Sequence, residues 1–249
     1  MIAAQTTASP APLQGSFPIV ELRQYTLHDG QRDTLVELFD REFVEPQEAL
    51  GMKIIGTFVD LDRPNRFVWM RGYSEMATRG DKLTEFYTGP VWKANREAAN
   101  ATMIDSDNVL LLHAPETSAE FKLAPTRPEA GEQAPSGIIV GTIYYLKVEP
   151  NEALRTFRLS VMPQLQKKGA SPIAWFVPET AANNFPRLPV REGEKVLIWF
   201  AAYANEAAYD ERRADIEAAA KPLEPVMDRE PEVLRLKPTP RSQLRGPIE

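Results

Sequence analysis

The chain has 249 residues, 43 % of them hydrophobic and 26 % charged, a composition ordinary for one large globular domain or two small ones. Its net charge of −6, with no basic stripe to offset it, argues against nucleic acid or an anionic membrane as a partner. There is no cysteine, and His28 and His113 are the only histidines, so disulfides, thiolate sites, a His-rich metal site and a histidine-based triad are excluded or hard to build. No metal and no cofactor is expected.

Residues 1–16 read as a flexible Ala/Thr/Ser/Pro tail without a basic n-region or an apolar h-region, which points to the cytoplasm or to an exported protein already trimmed. No apolar run approaches the roughly 18 residues needed to span a bilayer. From Ile19 the segment IVELRQYTL reads as a strand, followed by a helix over RDTLVELFDREFVEPQEAL that stops at Gly51. Next come a strand KIIGTFVDL, a turn DRPN, a strand RFVWMRGY, a helical stretch from Ser74 and a strand NVLLLHAP. A Pro-, Ala- and Glu-rich linker spans 117–136.

The order then repeats. IIVGTIYYLKV leads into the helix NEALRTFRLSVMPQLQKK, which stops at Gly169, and SPIAWFV, KVLIWFAAY, an Ala-rich helix and EVLRLKP follow. Pro46 and Pro163 fall at matching places, and WMRGYSEMA matches WFAAYANEA, aligning Trp69 with Trp199 and Tyr73 with Tyr203. The predicted organisation is therefore two βαββαβ units, 17–116 and 137–237, with a tail over 238–249 running across the surface. That is an α+β fold of two ferredoxin-like repeats whose antiparallel sheets pack face to face as a closed or nearly closed barrel. The repeats could pair within one chain or between chains, and a homo-oligomer is expected.

The opening VELRQYTLHDGQRDTLVELF resembles that of the NIPSNAP family, and TGPVWKANREAA, with Pro90 and Trp92, resembles its later Pro–x–Trp segment. The likeness is good from Ile19 to about Pro115 and weaker from Ile138 to about Pro238. It implies the dimeric α/β-barrel fold shared with antibiotic-biosynthesis-type monooxygenases and several small isomerases, and no single activity.

In such a fold helices cover one face of each sheet. Val20, Leu22, Val68 and Met70 form the more uniformly apolar side and are expected beneath the helices. Glu21, Arg23, Tyr25, Phe67, Trp69, Arg71 and Tyr73 would then face the barrel lumen as a small-molecule site. Arginines there suit a carboxylate or enolate, Glu21 would serve as a base if held apart from them, and a tyrosine could donate a proton. Glu21, Arg71 and Tyr73 are the candidate catalytic residues. Arg23, Tyr25, Phe67, Trp69, Tyr145 and Trp199 are the candidate ligand contacts. At the places of Glu21, Arg23 and Arg71 the second copy is read as having Gly141, Ile143 and Ala201, and Tyr145 aligns with Tyr25. The expected function is binding of a small aromatic or acidic molecule in the barrel, with cofactor-free oxygenation or isomerisation as its chemistry. The alternative is a non-catalytic interaction module in which a Glu–Arg network merely satisfies itself at a filled interface.

Overall fold

The structure, a computed structural model, describes residues 14–247. The first half runs β1 (Ile19–Leu27), α1 (Arg32–Glu42), α2 (Val44–Ala49), β2 (Lys53–Asp60), β3 (Arg66–Tyr73), α3 (Met76–Thr88), α4 (Pro90–Asn100), β4 (Met103–Asp105) and β5 (Val109–His113). The second runs β6 (Ile138–Tyr145), α5 (Pro150–Thr156), α6 (Met162–Lys167), β7 (Ala174–Pro178), β8 (Val196–Tyr203), α7 (Glu206–Asp210), α8 (Arg213–Ala220) and β9 (Glu232–Pro238). Both prolines seen in the long helices leave a mark. In an unbroken helix the Pro46 ring would clash with the carbonyl four residues back, and the chain breaks into α1 and α2 at Phe43. Around Pro163 the helix widens instead into a π-turn over Phe157–Val161. Gly51 (φ 80°) and Gly169 (φ 71°) end these helices in the left-handed region, where a Cβ would be strained.

Antiparallel pairing gives the strand circuit β1-β3-β2-β9-β6-β8-β7-β5, which returns to β1, and β4 adds to the end of β1. Each half contributes a four-stranded ferredoxin-like sheet. Two seams join them: Phe58, Val59 and Asp60 against Pro238, Lys237 and Leu236, and Leu112 and His113 against Pro178 and Val177. The repeats thus pair within one chain, and the closed circuit leaves no long sheet edge open.

One expectation about the faces is overturned. Val20, Leu22, Val68, Met70, Leu110 and Leu112 point into the lumen, where they meet Ile139, Ile143, Phe176, Ile198 and Phe200 of the other sheet. Glu21, Arg23, Tyr25, Phe67, Trp69, Arg71 and Tyr73 lie on the opposite face, under α1 to α4. The physical reason is the supply of partners. Two sheets meeting face to face provide only aliphatic and aromatic surface, which suits side chains needing no hydrogen bond. Helices can carry polar side chains down to a buried charge. The face shift also corrects the alignment of the copies. Thr142 pairs with Trp199 as Arg23 pairs with Trp69, so Arg23 corresponds to Thr142, Glu21 to Val140 and Tyr25 to Tyr144; Arg71 corresponds to Ala201 as expected.

The C-terminal tail also departs from expectation, because it does not simply cross the surface. Thr239 and Ser242 bond to Thr57, the Leu244 amide donates to the Ile55 carbonyl, and Leu244 joins Phe121 and Leu123 of the linker in closing the apolar lumen. Gly56 lies in the register shift of β2, and a Cβ there would fall 2.3 Å from the Phe58 ring. Leu244→Ala should therefore cost about 2 kcal/mol in chemical denaturation, near the low end for a buried leucine because the barrel mouth can relax. An unchanged denaturation midpoint would show that the tail contributes nothing.

Candidate functional site

Glu21 is the third residue of β1, with Arg71 opposite it on β3 and Arg23 two residues along on the same face. Arg79 comes down from α3, where Met76, Arg79, Leu83 and Phe86 share the buried stripe. Glu21, Arg23, Arg71 and Arg79 are all 0 % exposed.

The carboxylate is fully engaged. Arg23 Nη1 (3.0 Å), Arg71 Nε (3.1 Å) and Arg71 Nη2 (2.6 Å) donate to Oε2. Arg79 Nε (2.8 Å) and the Tyr73 hydroxyl (3.1 Å) donate to Oε1. Gln47 of α2 accepts from Arg71 Nη1 at 2.7 Å and donates its own amide to the Phe43 carbonyl. Among the described residues, Glu21 is the only carboxylate paired with these three guanidiniums. Three cations and one anion leave two buried positive charges uncompensated.

Arg23 Nη2 and Trp69 Nε1 are buried without a partner. Arg23 Nε donates to the Tyr25 hydroxyl at 2.9 Å, which leaves the phenolic proton to find another acceptor. The Trp69 ring lies between two guanidiniums, with Arg23 at 5.4 Å and Arg71 at 5.0 Å from its centre. Beside this group is a cavity of about 30 Å³, bordered by Tyr25, Trp69 and Gln47 and closed by Phe39, Phe43, Phe86, Tyr87 and Trp92. The aromatic rings pack largely edge to face, for instance Phe39 on Trp69 at 4.8 Å and Tyr87 on Trp92 at 4.9 Å. The void as it stands has room for about one water molecule.

Burial by itself would raise Glu21, but Arg71, Arg23 and Arg79 together outweigh it and hold the carboxyl far below the ordinary carboxylate range. Its use as a base depended on separation from arginine, and it touches three. Glu21 therefore acts as a fixed counter-charge. Burial pushes the Tyr25 and Tyr73 phenols up, so both stay protonated at neutral pH. Because the folded Glu21 pKa is depressed, its stabilisation is complete above the unfolded value of about 4.3 and is lost as pH falls below it. The melting temperature should fall steeply below about pH 4 in the wild type and less steeply in Glu21→Gln. Parallel profiles for the two proteins would remove this assignment.

Of the residues expected at the site, Glu21, Arg23, Tyr25, Phe67, Trp69, Arg71 and Tyr73 come together. Tyr145 and Trp199 do not. Tyr145 points toward a barrel mouth, bonded to Glu232 and stacked by Arg229. Trp199 packs under the second half's helices and bonds to Tyr144. His28 is exposed, and His113 stands at the end of β5 beside Glu179. Arg79, Gln47 and the aromatic wall were missed by the sequence reading. A signal existed for Arg79, which interrupts the apolar spacing Met76–Leu83–Phe86 with a charge. The second half has no such cluster, since Val140, Thr142, Ala201 and Tyr209 stand at the four charged positions. Among the described residues no group of three potential metal ligands occurs, and no helix is long and apolar enough to cross a membrane.

A closed eight-stranded antiparallel barrel with helices outside defines the dimeric α/β-barrel class, here formed by a single chain. Residues 20–118, the stretch that holds the charge cluster, match the NIPSNAP family model. The whole chain resembles a provisionally assigned monooxygenase from Lactobacillus acidophilus NCFM, with TM-score 0.55 and 11 % identity over 89 % of this chain and 94 % of that one. It resembles an anthrone oxidase-like protein to a similar degree, with TM-score 0.56 and 12 % identity over 95 % and 99 % of the two chains. A NIPSNAP family protein from Agrobacterium tumefaciens C58 aligns at 23 % identity with 39 % of this chain and 88 % of its own, TM-score 0.35. Curated protein sequences give no match.

Proposed function

We propose that the chain binds a small organic acid with an aromatic or otherwise apolar body, between the sheet and the helices of its first half. The observation that supports this most is the buried surplus of two positive charges beside an aromatic-walled cavity, with Arg23 Nη2 lacking an acceptor. A network built only for stability would tend to cancel its charge, because an uncompensated buried cation costs several kcal/mol. A ligand carboxylate on Arg23 would supply the missing anion, and Tyr25 and Trp69 could add donors. Its body would displace the inner aromatic wall, with the half-buried Tyr87 and Trp92 swinging outward to admit it.

The same donors would stabilise the enolate or phenolate form of an enol or phenol. That is the species a cofactor-free isomerase, or an oxygenase using dioxygen, acts upon, and it supports the enzymatic form of this reading. The aliphatic filling of the lumen favours a second reading, a non-catalytic module whose barrel is only a scaffold.

Benzoate and its neutral isostere benzamide separate the two. At 100 times its dissociation constant, benzoate should stabilise the protein by about 2.7 kcal/mol and raise the melting temperature by about 5–10 °C. Benzamide should do far less, and Arg23→Gln should abolish the benzoate shift. Equal shifts from both compounds, or none from either, would defeat the anion-site reading.

A further inference from the structure

The loop 179–195, between β7 and β8, belongs to the second half but settles on the first. Its counterpart in the first half is only the short turn 61–65 between β2 and β3. We infer that Asn183 and Asn184 of this loop are positioning residues of the first half's anion site, an assignment that rests on the reading proposed above.

The geometry concerns Arg79. Its Nε and Nη2 face Glu21 Oε1, while Nη1 donates at 2.9 Å to both Asn183 Oδ1 and Asn184 Oδ1. Neither amide is loose. Asn183 Nδ2 donates to the Leu188 carbonyl at 3.1 Å, and Asn184 Nδ2 to the Met76 carbonyl at 2.7 Å. The loop comes so close to α3 that a Cβ at Gly80 would lie 2.8 Å from the Asn184 carbonyl oxygen. Phe185 then stacks on Tyr87, a residue of the cavity wall, with centroids 5.9 Å apart and planes 20° from parallel.

The acceptors on Arg79 are amides and not carboxylates. An amide oxygen orients a guanidinium without cancelling its charge, whereas a carboxylate at the same place would remove part of the surplus that attracts an anion. Two neutral acceptors are what a site needs if the arginine is to be held in place and kept available. The second repeat carries no charged cluster of its own, yet it sets the orientation of one in the first.

Asn183→Asp tests this with almost no change of shape, though it gives up the amide's donation to the Leu188 carbonyl. Benzoate affinity, read by calorimetry at fixed ionic strength, should weaken tenfold or more. Asn184→Asp should act in the same direction but less, because Asn184 is exposed and water screens the new charge. Benzoate affinity in Asn183→Asp within twofold of the wild type would overturn the assignment. A second measurement needs no ligand. Asn183→Asp should shift the melting temperature more favourably in the wild type than in Arg79→Met, where no guanidinium gains from the new charge, whereas equal shifts in the two backgrounds would overturn the inference. If the wild type ignores benzoate, the anion-site reading falls and this thermal comparison alone decides the role of Asn183.

Discussion

Glu21→Gln should destabilise the protein by about 3–5 kcal/mol, the range for removing one partner of a buried charge network. The neutral amide can accept one or two of the five hydrogen bonds donated to Glu21, but it leaves three guanidiniums facing one another at zero exposure. The opposite deletion makes the argument sharp. Arg23→Met removes one surplus charge and an unpartnered nitrogen, fills the same space with an apolar chain, and should cost less than half as much as Glu21→Gln. Chemical denaturation of both variants at neutral pH checks this. If Arg23→Met proved as damaging as Glu21→Gln, the cluster would be a balanced structural network, and the anion reading would lose its main support.

Phe200→Ala should cost about 3–5 kcal/mol, the usual range for truncating a buried phenylalanine. Its ring is 1 % exposed inside the lumen, with Phe121 at 5.1 Å and Phe176 at 6.2 Å between centroids. Those neighbours come from the linker and from β7, so the cavity left behind would have walls that cannot easily collapse together. Leu22→Glu, on the same lumen face of β1, should prevent folding altogether, because nothing there can pair with a charge. A folded Leu22→Glu protein, or a loss below 1 kcal/mol in Phe200→Ala, would mean that the lumen is not the packed core described here.

The two sets of variants also separate the faces. Substitutions in the lumen should lower stability whether or not an anion is present. Under the anion-site reading, Glu21→Gln should be partly rescued by benzoate, which would replace part of the charge that Glu21 supplies, whereas Arg23→Met should not respond to it. That contrast is expected from the placement of odd-numbered β1 residues under the helices and even-numbered ones in the barrel.

Much of this architecture was legible in the sequence because it depends on local periodicity. Alternation along IVELRQYTL and RFVWMRGY marked strands, Gly51 and Gly169 marked helix ends, and the recurrence of WMRGYSEMA as WFAAYANEA marked the duplication. The family likeness of the first half rested on the same stretch, as did the grouping of Glu21, Arg23, Arg71 and Tyr73, since the pairing of β1 with β3 follows from the ferredoxin-like order. The short β4 carried no such signal, being three residues attached to the end of another strand.

Period-two alternation fixes which residues share a face, and it is silent about what that face will meet. That choice belonged to the tertiary structure. The aliphatic sides of both sheets could be buried against each other without a hydrogen bond, whereas the Glu21 side required donors and acceptors that only helices and a loop from distant parts of the chain could bring: Gln47, Arg79, Asn183 and Asn184. From sequence alone VELRQY was a strand with charges on one side. Folding turned those charges away from the barrel and set them beneath a helix layer, because a charge can be buried only where the chain delivers partners for it.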